Sequence, residues 1–194
     1  TVEDGIGIVT MNFLKNLNAI DEQMADELMY VVDKAEKDPN VKVLVIKSAG
    51  KAFSAGGDIG YFYKLIQAGG EVNMDGLIAK VGVVADGLKK MSKMVITSVS
   101  WAAAGAGVSL ALGGDFMICA EDAKFLLAFV NLGLVPDTGV TYLLSKAIGT
   151  SRTMELAATG RPMGAEEAKE LGLAYKVVPV EELEEVTMKF AKKL

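Results

Sequence analysis

Histidine is absent from this chain. Its absence excludes Ser-His-Asp and Cys-His hydrolysis, HExxH metalloproteases and His-ligated zinc within the chain. The lone cysteine, Cys119, has no partner for an internal disulfide and cannot build a structural zinc site. No metal is expected, and a reducing, cytoplasmic setting is. Basic residues are in the minority, 20 Lys and Arg against 25 Asp and Glu, for a formal net charge of -5. Without a basic stripe to neutralise phosphates, nucleic acid is not an expected partner. No apolar run is long enough to span a bilayer and no signal-peptide pattern is present, so a membrane is not expected either. Any acid–base chemistry must therefore come from Asp, Glu, Lys, Tyr or the substrate.

What is present is apolar: 51% of the residues are hydrophobic and 23% charged. That composition predicts one globular domain over residues 1–194, with a substantial core. The chain starts inside a strand without Met and stops within an amphipathic helix, so flanking residues, above all C-terminal ones, are expected beyond it. Strands are predicted at 5–11, 42–47, 94–101, 115–120 and 175–179, and an amphipathic helix capped by Asp21 over 21–37. The face of that helix is Met24, Leu28, Val31, Val32 and Ala35. Further helices are expected over 76–92, after 104, over 150–160 and 164–174, and from 180 onward; residues 66–76 read as a loop. Strand and helix alternate, which makes the class α/β with mostly parallel strands.

Two glycine-rich segments each join a strand to a helix. One is Phe53-Ser54-Ala55-Gly56-Gly57-Asp58, the other Ala104-Gly105-Ala106-Gly107. Such loops are commonly tight turns and nothing more. They can also aim unpaired amide N–H groups at one oxygen, with helix dipoles adding to the field. A dinucleotide fingerprint fails because Leu110 stands where its third glycine belongs, and a P-loop fails because Ala52 follows Gly50-Lys51 and Val45 replaces the first glycine.

The runs "NFLKNLNAID", "KVLVIKSAGKAFSAGGDI", "VITSVSWAAAGAGVSLALGGDFMICAEDAKF", "NLGLVPDTG" and "TGRPMGAEEAKELGLAYKVVP" occur in an order that resembles the crotonase (enoyl-CoA hydratase/isomerase) superfamily. Phe13 and Leu14 depart from that family's Arg-Pro. The resemblance implies a ClpP/crotonase-like spiral of ββα units with two roughly perpendicular sheets. It also implies C-terminal helices, beyond residue 194, that assemble homotrimers or dimers of trimers. It implies an acyl-CoA or acyl-ACP thioester as substrate, with no cofactor besides. Carried over by position, Ala55 and Ala106 would supply the oxyanion N–H groups, although Ala106 replaces a glycine. Phe53, Ser54, Ala55, Gly57, Asp58, Ile59, Gly105, Ser109 and Phe129 would contact substrate or CoA. Asp58 also reads as structural, near a helix start, and Asp115 likewise, at a strand start.

Hydratases of this family use two glutamates, and those positions hold Ser109 and Phe129 here. Ser109 could hold a water or pack against the preceding turn. The remaining carboxylate is Asp137, at the position where single-carboxylate isomerases of the family carry their acid–base group. The local sequence permits another role: Pro-Asp-Thr-Gly suits a type I turn, and Asp is a strong helix N-cap. A cap would lower the pKa of Asp137, whereas a base in an apolar pocket would have it raised. The resemblance thus implies an enoyl-thioester isomerase with Asp137 as acid and base. A hydratase, a ring or epoxide isomerase, and a catalytically weak acyl-CoA-binding subunit stand as alternatives.

Overall fold

The structure, a computed structural model, describes residues 1–69 and 74–194. The loop expected at 66–76 falls partly on residues 70–73, outside the described residues. Runs of Val, Ile and Leu form the strands β1 (Val2–Glu3), β2 (Ile6–Met11), β3 (Val43–Ser48) and β4 (Met94–Val99). β5 (Ala102–Ala104), β6 (Phe116–Ala120), β7 (Lys124–Leu126), β8 (Pro162–Gly164) and β9 (Lys176–Val178) follow. Six of these make one sheet in the order β1-β2-β3-β4-β6-β9, and three make a second in the order β5-β7-β8. All pairs of the larger sheet are parallel except the β1–β2 hairpin.

Both faces of the larger sheet are buried, which is why β3 is apolar without alternation. Leu44 and Ile46 enter the main core, while Val43 and Val45 point to a second core with Ile96 and Ile118. The helices α1 (Glu22–Lys37), α2 (Ile59–Gln67), α3 (Asp75–Lys90) and α4 (Ala106–Gly113) come before β6. α5 (Val140–Ile148), α6 (Thr150–Thr159), α7 (Ala165–Glu170) and α8 (Leu183–Ala191) complete the chain. Asp21 caps α1 as expected, accepting from the Met24 N–H at 2.9 Å. Ala25 joins its buried face, and Val31 lies at the edge of it. α8 covers the second core, where Ser98 and Thr187 share a buried hydroxyl–hydroxyl bond of 3.1 Å.

The chain climbs in repeated steps: a long strand in the larger sheet, a short one in the smaller sheet, then a helix. β4–β5–α4 is one step and β6–β7–α5 the next. β3 starts an earlier one, in which Ser54 bridges Ala103 before the chain enters α2. The short strands escape sequence reading because two or three residues carry no periodicity. Every residue of α4 is buried. A helix of Ala, Gly, Ser, Val and Leu can occupy the centre of a molecule because it has no polar face to hydrate and little bulk to place.

Candidate active site

The two glycine-rich loops are laced together edge to edge. Ser54 N–H donates to Ala102 O at 3.0 Å, and Ala104 N–H donates back to Ser54 O at 2.9 Å. No side chain fits in the seam: a Cβ on Gly56 would lie 2.6 Å from Ala104 O. Gly56 also has a φ of +86°, which L side chains rarely adopt. Asn18 anchors the first loop from beneath. It is buried, accepts from Phe13 N–H at 2.7 Å and donates to the Ala52 and Phe53 carbonyls at 3.1 and 3.3 Å. Its φ of +54° is one that Asn tolerates better than most residues. Reading the sequence alone missed Asn18 as a site-building residue, and the signal was its place at a chain reversal.

The two amides expected to face an oxyanion differ in whether their N–H is already bonded. Ala55 N–H is already committed, donating to Leu17 O at 3.0 Å. Two residues on, Gly57 N–H donates to no acceptor among the described residues, because its neighbours Gly56 and Asp58 make the hydrogen bonds to Ile20. Ala106 N–H, at the first position of α4, likewise has no acceptor among the described residues. The alanine in place of glycine is tolerated because Gly105 takes the unusual backbone, with a φ of +50°. Among the described residues Gly57 and Ala106 therefore carry unpaired donors on loops in direct contact, Ala106 at the start of the buried helix α4 and Gly57 two residues before α2.

Several expected contact residues are builders of the site and not its lining. Phe53 is wholly buried in the main core. Ser54 is wholly buried too, donating to Asn18 O at 2.8 Å and accepting from Gly56 N–H at 3.2 Å. Asp58 caps α2 through Tyr61 N–H at 2.9 Å and accepts from Asn16 at 3.0 Å, which supports its structural reading over CoA contact. Asp115 is likewise structural, accepting from Val95 N–H at 2.9 Å. The exposed faces of Ala55 and Ile59, with half-buried Gly57 and Gly105, remain open to a ligand. Phe129 lies in a 3₁₀ turn (Ala128–Leu132), with its ring edge against Gly105, and walls the site.

Asp137 is not a helix cap. The N-cap of α5 is Gly139, and no side chain bonds to that helix end. Instead Val140 N–H donates to the Asp137 carbonyl at 3.0 Å, closing a turn with Thr138 and Gly139 in its middle. Both central residues have positive φ, 49° and 81°, so the turn is of the left-handed kind and not the type I turn that Pro-Asp-Thr-Gly suggests. Holding a β-branched Thr there costs on the order of 1–3 kcal/mol. The half-buried Asp137 carboxyl is pushed above the usual carboxylate range, chiefly by burial; hydrogen bonds from the Thr138 hydroxyl and from its own backbone draw it part of the way back. Thr138 is the second residue that sequence reading passed over. Its hydroxyl lies 2.6 Å from that of Ser109, both buried.

The turn also borders a cleft of about 810 Å³. Thr138 and Gly139 stand at one part of its wall, while Gly82 and Ala85 of α3 and Ala111 and Leu112 of α4 line another. No group of three or more His, Cys, Asp or Glu able to hold a metal occurs among the described residues. Nor is any described helix long and apolar enough to cross a membrane.

Two amides on adjoining glycine loops, unpaired among the described residues, with a raised carboxyl on the turn bonded to α4 and a cleft beside that turn, make an arrangement able to polarise a carbonyl and move a proton. Known proteins are similar to this chain over its whole length. The chain is 36% identical over 186 residues to the trans-2-decenoyl-[acyl-carrier-protein] isomerase of Streptococcus mutans, covering 96% of this chain and 71% of that protein. It is 36% identical to the 1,2-epoxyphenylacetyl-CoA isomerase of Escherichia coli, covering all of this chain and 74% of that protein. With the hydroxycinnamoyl-CoA hydratase-lyase of Pseudomonas fluorescens it shares 31% identity, over 100% of this chain and 70% of the other. A solved enoyl-CoA hydratase from Mycobacterium avium superimposes with a TM-score of 0.90 at 32% identity, over 100% of this chain and 75% of that one. Residues 1–194 match the family model for enoyl-CoA hydratase/isomerase throughout, and the chain belongs to that family, the crotonase superfamily.

Proposed function

We propose that this protein is an enoyl-thioester double-bond isomerase, acting on acyl-CoA or acyl-carrier-protein substrates. The observation that carries the reading is the state of Asp137: half-buried, free of any capping duty, raised in pKa, and next in sequence to Thr138, whose hydroxyl bonds Ser109 of α4. In this reading Gly57 and Ala106, in place of the expected pair Ala55 and Ala106, donate to the thioester oxygen. Each such donor contributes roughly 3–4 kcal/mol to the barrier reduction. Asp137 takes a proton from C4 of a 2-enoyl chain, or from C2 of a 3-enoyl chain. The electrons spread into a dienolate held by the two amides, and the protonated Asp137 returns the proton to the other carbon. A proton-transfer group placed in this way contributes typically 10²–10⁴-fold in rate. The name of one relative, a trans-2-decenoyl-[acyl-carrier-protein] isomerase, supports this assignment, while that of another, a 1,2-epoxyphenylacetyl-CoA isomerase, fits the epoxide-isomerase alternative.

Hydration needs a water held and activated on one face of the double bond. Ser109 and Phe129 offer no carboxylate for that, and the Ser109 hydroxyl is engaged with Thr138. The acyl chain would lie in the cleft between α3 and α5, beyond the Asp137 turn. Exposed Leu132, Leu134 and Val135 beside the site support assembly of the protein into trimers or dimers of trimers. The test is incubation of the purified protein with 3-enoyl- and 2-enoyl-CoA, following double-bond position and water addition separately, for wild type and Asp137→Asn. Migration lost in the variant is the expected result. Water addition outrunning migration would reassign the protein as a hydratase, and no turnover of either substrate would make it an acyl-thioester-binding subunit.

A further inference from the structure

The Ser109–Thr138 hydrogen bond joins two parts of the site that sequence keeps 29 residues apart. Ser109 belongs to α4, whose first residue presents the Ala106 amide, and Thr138 directly follows Asp137. The bond therefore ties the helix of the oxyanion site to the turn that carries the carboxylate. Packing alone does not call for two hydroxyls in this place. Ser109 is wholly buried and Thr138 nearly so, and an apolar pair of the same shape would leave no polar atom to satisfy. Thr138 also holds a left-handed backbone that glycine or asparagine would adopt more readily.

We propose that Ser109 and Thr138 are positioning residues for Asp137: Ser109 donates to Thr138 Oγ1, which directs the Thr138 proton to the Asp137 carboxylate and locks its turn to α4. The order follows from proton counting. Each hydroxyl has one proton, so a Thr138 that donates to the carboxylate must accept from Ser109. Donors in a chain polarise one another, and Ser109 thereby strengthens the bond that Thr138 makes. The groups that act on the Asp137 carboxyl are its burial, the Thr138 hydroxyl and its own backbone; no charged side chain of the described residues is among them. The proposal rests on the reading of Asp137 as the acid–base group.

The experiment compares Thr138→Val, Thr138→Ser, Ser109→Ala and the Ser109→Ala/Thr138→Val double variant. For each, the pH dependence of kcat for double-bond migration is measured, and the Asp137 carboxyl is titrated directly by NMR. Thr138→Val should lower kcat about tenfold or more with little change in KM. Its acid limb and its NMR titration should both move to higher pH, because a hydrogen bond favouring the charged form is gone. Ser109→Ala should move both in the same direction by less. The double variant should match Thr138→Val, since Ser109 acts only through Thr138. Thr138→Ser should restore most of the wild-type profile. A lower melting temperature with both titrations unmoved, or a shift to lower pH, overturns the proposal, as does additivity in the double variant. If Thr138→Val does not fold, Ser109→Ala and Thr138→Ser decide the question by the same titrations. Wild-type activity in Asp137→Asn would instead defeat the acid–base reading, and the NMR titration separates that outcome from a failure of the pair.

Discussion

Gly107 is seated against Ser54 so closely that a Cβ on Gly107 would lie 2.8 Å from the Ser54 carbonyl oxygen and 2.9 Å from its Cβ. That contact sets the spacing of the two glycine-rich loops, proposed above to hold the oxyanion. Gly107→Ala must push the loops apart and move the Ala106 amide with its helix. Loss of one such donor costs about 10²–10³ in kcat, and that is the fall expected in a steady-state assay. Gly76, in α3, has no atom of the described residues within 4 Å of where a Cβ would sit, and serves as the control. Gly76→Ala should leave activity unchanged and raise stability by about 0.5–1 kcal/mol in denaturant melts.

Asp137 should make the protein less stable at neutral pH. The folded carboxyl keeps its proton to a higher pH than the unfolded one. Between those two pKa values the folded state binds more protons, so stability falls as pH rises through the window, and the deficit persists above it. Asp137→Asn should melt at a higher temperature than wild type at neutral pH. The difference should shrink as pH falls below the ordinary aspartate range, where both forms are uncharged. Equal melting temperatures at every pH would show that the carboxyl is not held against its solvation.

The acyl-chain assignment of the cleft predicts a change in substrate range. Ala85 and Gly82 are the small residues of its α3 wall, beside the larger Ile78, Asp86, Lys89 and Lys90. Ala85→Phe would fill part of the space, so kcat/KM for long-chain enoyl thioesters should fall by at least tenfold while short chains are little affected. Equal losses for C4 and C10 substrates would remove the chain from this cleft. The comparison uses one enzyme and two substrates, so a folding defect cancels.

Cys119 should be chemically silent in the native protein. Burial in the sheet pushes its thiol up to about 12, so the reactive thiolate is scarce at neutral pH and shielded besides. Maleimide should label it only after denaturation, and the labelling rate should follow the population of unfolded protein.

Much of this fold was legible because its signals are local. β3 declares itself by a run of apolar residues, and α1 by its periodicity and Asp21 cap. The absence of histidine and the loss of carboxylates at 109 and 129 narrowed the chemistry to Asp137 before any geometry was known. The choice between cap and base at Asp137 was not local, since Pro-Asp-Thr-Gly suits both. It depended on a Thr138 hydroxyl meeting Ser109 from another helix, and on a left-handed turn that moved the N-cap to Gly139. The same holds for the oxyanion donors. Composition alone identified two glycine loops, but whether Ala55 or Gly57 keeps a free N–H depended on Leu17 arriving from a distant turn to accept one of them. Secondary structure, class and candidate chemistry follow from neighbours in the chain. Which hydrogen-bonding group stays unpaired, and which carboxyl stays dry, is decided by partners far apart in sequence, and only the folded chain brings those together.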